Sequence, residues 1–261
     1  MEAMSVRKVF LTAPVMLLAM AAASIPAPAA DLLAHRAVYE LTLGNHDDSS
    51  GMISMQGGLL LEVQDGCETW TVRQRLALQI TRDDGALSTT STFDTFEAKD
   101  GSWYRFDDET FTQPGGREHA SGEAVAADDT HSGRISLEEP EQSRHDLPNA
   151  AIFPMVHLAD LIDRADAGER FMSHVVYDGT DGALVYDVTT VVGQAIDGDQ
   201  HTAWPMRLAF FEYGGTTEQP QVEIQVTLRD DGVAESIAYE YENFVIEMAL
   251  KELSELTDGG C

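Results

Sequence analysis

Cysteine is nearly absent. The 261 residues hold Cys67 and Cys261 alone, and neither sits in a C-x-x-C pair, which argues against a thiol-redox enzyme. Basic residues are scarce as well. There are 16 Lys and Arg against 45 Asp and Glu, a net charge of −29, and only Lys8, Lys99 and Lys251 are lysines. A surface of that sign repels nucleic acid and anionic lipid headgroups, so neither is expected as a partner. Familiar catalytic signatures are missing too. The eight histidines are scattered, with no H-x-H and no H-E-x-x-H, which leaves zinc without ligands at the right spacing. There is no G-x-S-x-G, and the one S-x-x-K, Ser5 to Lys8, lies in the N-terminal leader. No metal or other cofactor is expected.

What is present begins with an export signal. Arg7 and Lys8 make a positive start, Val9 to Ala30 carry no charge, Val15 to Met20 are strongly apolar, and Ala27 and Ala29 supply the small residues of a cleavage site. An uncleaved anchor is the alternative, since the uncharged run is long enough to span a bilayer; Pro14, Pro26, Pro28 and the many alanines argue against it. The sequence therefore predicts a signal peptide over 1–29, cleavage after Ala29 and a periplasmic chain of residues 30–261, with no later membrane-spanning run and no cysteine placed for acylation. Losing Glu2, Arg7 and Lys8 leaves 44 acidic and 14 basic residues, a net charge of −30. In an oxidising compartment two cysteines are most simply one disulfide, Cys67–Cys261. The alternative is two unpaired thiols, which the periplasm would not leave reduced for long.

The rest of the chain alternates. Trp70, Val72, Leu76, Leu78 and Ile80 share one face of a run whose other face carries Arg73, Arg75 and Gln79. Val222, Ile224, Val226 and Leu228 alternate with Glu223, Gln225 and Thr227, and Leu184 to Val192 behave alike. A period of two with polar partners means strands with one wet face. Further strands are predicted at 37–43, 51–56, 58–63, 88–98, 103–107, 122–126, 133–137, 171–177, 206–213 and 233–241. Asp-Gly turns, such as those at Asp84-Gly85, Asp178-Gly179, Asp197-Gly198 and Asp231-Gly232, separate several of them. More than ten short strands without a βαβ rhythm describe an all-β antiparallel barrel or sandwich.

One segment departs from this. Met155, Leu158, Leu161, Ile162 and Ala165 have helical spacing, Pro154 suits a first turn and Gly168 a stop, so an amphipathic helix is expected at about 154–167, near the chain's midpoint. In a β protein such a helix plugs a barrel or covers an open end. The stretch 138–149 before it is polar. The tail is ambiguous: Phe244, Ile246, Met248 and Leu250 alternate like a strand, while Leu250, Leu253 and Leu256 would suit a helix. A strand to about Lys251 is the reading adopted. One domain over 30–261 is expected.

Phe153-Pro154-Met155-Val156-His157, then Leu161-Ile162 and Ala167-Gly168-Glu169, resemble the FP-x-x-H helix of the cell-envelope integrity EipB-like family. These are alphaproteobacterial periplasmic proteins long filed as a domain of unknown function. The resemblance continues through Tyr177-Asp178-Gly179-Thr180-Asp181-Gly182, Tyr186-Asp187, Val192-Gly193 and Trp204-Pro205. It is also seen in His35-Arg36-Ala37-Val38-Tyr39-Glu40-Leu41 and Ser50-Gly51. It covers essentially the whole chain after the leader, in order, and both cysteines match the family's disulfide positions. It implies a curled, open β-barrel, a β-spiral, around a cavity. It also implies a role in envelope integrity, with no catalytic residues to carry over.

The residues themselves offer few sites. A calcium loop starting at Asp178 would need Glu at position 189, where Thr189 stands, so turn chemistry accounts better for the Asp-Gly repeats. Carboxylate pairs such as Glu138-Glu139 and Asp107-Asp108 say little in so acidic a chain. His157 is the weak candidate for a neutral base, at a helix start that disfavours its protonation; the plainer reading is a capping or core-rim histidine bonded to a carbonyl. Arg73 and Arg75 are weak candidates for an anion pocket, against a solvated strand face paired with local acids. The function expected is a non-enzymatic periplasmic envelope factor binding an envelope lipid or peptide, or a periplasmic protein, in or beside its barrel. The alternatives are a hydrolase acting on an envelope glycan or lipid, and a ligand-free scaffold. A buried carboxylate pair facing a cavity would favour the hydrolase, an apolar cavity the binder, and no cavity the scaffold.

Overall fold

The computed structural model describes residues 30–257. Eight strands precede the midpoint: β1 (His35–His46), β2 (Met52–Asp65), β3 (Thr69–Arg82), β4 (Gly85–Ala98), β5 (Trp103–Gln113), β6 (Gly116–Val125), β7 (Gly133–Glu139) and β8 (Ser143–Leu147). The two-residue strand β9 (Ala151–Ile152) leads into helix α1 (Pro154–Asp166). The second half holds β10 (Phe171–Val176), β11 (Tyr186–Val192), β12 (Ile196–Asp197), β13 (Thr202–Glu212), β14 (Val222–Arg229), β15 (Ala234–Glu240) and β16 (Phe244–Glu255).

These strands form one sheet in the order β8-β7-β6-β5-β4-β3-β2-β1-β16-β15-β14-β13-β11-β10-β9, with β12 paired to β13. β1 receives β2 on one edge and β16 on the other, so the two halves of the chain meet along the first and last strands. The two ends of the sheet, β8 and β9, are consecutive in the chain, with only 148–150 between them. A sheet whose opposite edges lie so close must curl round on itself, and the result is a nearly closed barrel. Pairing is antiparallel except between β9 and β10, which run parallel.

The alternating segments became strands, and several are longer than alternation suggested. The stretches 51–56 and 58–63 are one strand, because pairing with β3 runs unbroken through Gly57↔Leu78 and Gly58↔Ala77. The tail is a strand to Glu255, not Lys251, because β1 supplies backbone partners down to His35↔Glu255. The polar stretch 138–149 contains the edge strand β8, which lies against β7 from Gly133↔Leu147 to Leu137↔Ser143.

The chain enters the interior through Phe153, which is fully buried, and α1 runs inside the curl. Met155, Leu161, Ile162 and Ala165 pack with Met172 and Val176 of β10, Trp204 and Leu208 of β13 and Leu228 of β14. Each large apolar side chain so buried contributes roughly 1.5–3 kcal/mol. The helix stops one residue earlier than predicted: Gly168, at φ +89°, lets Gly168 N–H reach the Ala165 carbonyl and Glu169 N–H the Arg164 carbonyl.

A second core lies under the seam where the sheet's ends meet. Tyr104 stacks on Phe153 at 5.5 Å between ring centroids and meets Tyr177 edge-on at 6.2 Å. Tyr104 Oη donates to the Asp178 carbonyl (2.6 Å) and Tyr177 Oη to the Gly182 carbonyl (2.8 Å). Segment 177–182 thus ties β10 to β5 across the seam.

Candidate functional site: an interior cavity

Alternation puts every second side chain of the curled sheet inside, and α1 does not fill the space. A cavity of about 400 Å³ remains, with Ile224, Val226 and Leu228 of β14 facing Met155, Leu158 and Leu161 of α1. That volume is within the range of small-molecule sites. Leu32 and Leu33, just before β1, also line it, and this segment is held by Leu33 N–H to the Asp231 carbonyl (2.8 Å) and Leu256 N–H to the Ala34 carbonyl (2.8 Å).

Few polar groups stand near this apolar space. Glu97, on β4, is 1% exposed. Its two carboxylate oxygens accept the backbone N–H groups of Met155 and Val156, each at 2.8 Å. A helix start carries unpaired N–H groups, and here a carboxylate from a distant strand satisfies two of them. Burial nevertheless outweighs these donors and pushes the Glu97 carboxyl up to about 7.

His157, 7% exposed, lines the cavity, and its ring meets that of His174 at 4.8 Å. Burial first, and His174 second, bring its pKa down to about 3, so the ring is neutral. His174, on β10, has its Nε2 2.7 Å from Oδ2 of Asp160 on α1. His35 opens β1 and is 3% exposed, with Nδ1 2.8 Å from the Leu33 carbonyl; burial lowers its pKa as well. The Nε2 atoms of both His35 and His157 are buried without a hydrogen-bond partner among the described residues.

The carboxylates that line the cavity are engaged elsewhere. Asp231 binds the Arg229 guanidinium through both oxygens. Asp178 Oδ1 accepts Thr180 N–H (3.0 Å) and Thr180 Oγ1 (2.7 Å), an Asx turn where a calcium loop was considered and set aside. His201, Asp230 and Asp231 form the one cluster of three metal-capable groups among the described residues. Arg229 already occupies Asp231, and Asp230 Oδ2 accepts Thr202 N–H (3.0 Å).

The sequence candidates separate clearly. His157 reaches the cavity. Arg73 and Arg75 do not; they lie on the wet face of β3, Arg73 3.9 Å from Glu62 and Arg75 paired through both nitrogens with Asp94. Helix capping falls to Glu97 and not to His157. Sequence reasoning missed Glu97 and His35. A signal for the first existed: Glu97 keeps the parity of Phe93 and Thr95, which line the cavity. Cys261 lies outside the described residues, as does the leader expected over 1–29.

The profile of a family described as EipB-like matches residues 26–257. The cell envelope integrity protein EipB of Brucella abortus (strain 2308) is 28% identical over 248 residues, covering 89% of this chain and 88% of that protein. A crystal structure of a beta-barrel-like protein of a domain of unknown function, also from Brucella abortus, matches with a TM-score of 0.81 at 27% identity. It covers 88% of this chain and 100% of that one.

Proposed function

Because this chain belongs to the EipB-like family, we propose that it is a periplasmic envelope-integrity factor that works by holding an apolar envelope molecule inside its barrel. The role follows the name of the Brucella relative. The mode of action rests on one observation: the inner face of the curled sheet and α1 line a partly open cavity of about 400 Å³ of largely apolar space that the helix leaves unfilled. A filled core would have favoured a scaffold. A glycan hydrolase of the two-carboxylate kind would need such a pair poised over that space, whereas Glu97, Asp178 and Asp231 are each committed to backbone, hydroxyl or guanidinium partners. Export agrees with the leader at 1–29, and no helix among the described residues is long and apolar enough to cross a membrane.

The test is genetic. Deletion should sensitise cells to detergents and cell-wall antibiotics, and the wild-type gene should restore resistance. Val226→Trp, which fills the cavity from β14, should fail to restore it while accumulating to normal level. Full rescue by Val226→Trp would sink the cavity as the working part.

A further inference from the structure

We propose that the cavity selects an apolar chain bearing an uncharged hydrogen-bond donor, a hydroxyl or an amide N–H, and that His35 Nε2 receives that donor. This rests on the cavity-binding reading above and names the chemistry of its ligand. The tautomer comes first. His35 Nδ1 lies 2.8 Å from the Leu33 carbonyl. A carbonyl oxygen only accepts, so Nδ1 carries the ring's one proton and Nε2 is left as an acceptor. His35 is 3% exposed and lines the cavity, and its buried Nε2 has no partner among the described residues. A buried acceptor left bare is a standing cost that a ligand donor would relieve.

Charge narrows the choice further. Among the described residues that line the cavity there is no lysine or arginine, while Asp178 and Asp231 stand in its wall. Arg229, the guanidinium near His35, is bound to Asp231 through two hydrogen bonds. An anionic end group would therefore meet carboxylates and find no uncommitted cation, and an ionised carboxylate buried without a partner is heavily penalised. A neutral donor meets no such barrier. His157 adds a second polar point on the α1 wall, its buried Nε2 likewise without a partner.

The test is titration calorimetry of the delipidated full chain after its leader, with three probes: 1-decanol, which donates; methyl decanoate, which cannot; and decanoate, which is charged. Wild type should bind decanol about tenfold tighter than methyl decanoate, the worth of about one hydrogen bond, and decanoate more weakly than decanol. His35→Asn keeps an amide donor for the Leu33 carbonyl and removes Nε2. It should weaken decanol about tenfold and leave methyl decanoate nearly unchanged. The comparison of the three probes on wild type stands even if His35→Asn does not fold. Decanoate binding tightest, or decanol no tighter than its ester, overturns the donor selection while chain binding in the cavity survives. If no probe binds, or if Val226→Trp binds all three like wild type, the cavity-binding reading itself fails.

Discussion

Glu97, which caps the start of α1 from β4, and His157, in the first turn of that helix, respond to pH with opposite sign. Burial raises Glu97 to about 7, so between its ordinary 4.5 and 7 the folded protein holds a proton that the unfolded chain has released. Stability from this group is complete below about 4.5 and is lost as pH rises through about 7, a change of about 3 kcal/mol. Glu97→Gln cannot titrate. Urea unfolding at pH 4.5 and pH 8 should show the stability difference between variant and wild type moving about 3 kcal/mol in the variant's favour; a difference independent of pH would refute the assignment. His157 works the other way. Its neutral ring, held down to about 3, contributes stability that is complete above 6.5 and is lost as pH falls, because the unfolded chain then binds a proton the folded one refuses. His157→Leu should therefore lose less stability than wild type between pH 6.5 and pH 4, by about 3 kcal/mol, in the same urea assay. Equal acid losses in the two proteins would contradict it. Of these two residues the sequence exposed His157, because it follows Pro154 in a helical pattern. Glu97 is a long-range cap, and the partner of a long-range cap cannot be read from local spacing.

The turn 177–182 was legible as Asp-Gly chemistry, but its task was not. In the folded chain it runs under the seam, and Gly179 (φ +76°) lies so close to Phe106 that a Cβ would come within 2.6 Å of the ring. Gly168 provides the comparison, since it too has positive φ (+89°) but a Cβ there would meet nothing within 4 Å. Gly168→Ala should cost about 1 kcal/mol from backbone strain alone, and Gly179→Ala about 2–4 kcal/mol because overpacking adds to strain. Equal shifts in urea midpoint would show that the aromatic seam yields to the extra methyl. Strands with an apolar inner face, such as β3 and β14, were plain in the sequence because one side packs and the other is wet. β8, β9 and β12 were not. Ser-Arg-His-Asp-Leu has no apolar alternation, and β9 and β12 are two residues each; backbone pairing at the edges of the sheet, not side-chain burial, defines them.

At the scale of the molecule, periodicity alone left barrel and sandwich open, because both bury alternate residues. The curl comes from which strands become neighbours, and that depends on contacts as distant as β1 with β16. The same closure bears on the two cysteines. Cys67 lies in the turn between β2 and β3, and the register His35↔Glu255 and His35↔Val63 brings the end of β16 within two strand spacings of the end of β2. Two spacings are roughly 10 Å, and residues 256–261 can extend about 20 Å, so Cys261 can reach Cys67 without disturbing either strand. We propose that they are joined. The bond would close a loop of about 195 residues, for which chain entropy gives roughly 5 kcal/mol as an upper figure. It would also pin the last strand where the two halves of the sheet meet, at a terminus that otherwise tends to fray. Cys67→Ser and Cys261→Ser should then cost the same, within roughly 2–5 kcal/mol, and the double variant no more than either, since each removes the same bond. Mass mapping without reductant should recover the two cysteine peptides as one species. Two alkylatable thiols in protein isolated without reductant, or single-variant costs that add, would rule the bridge out.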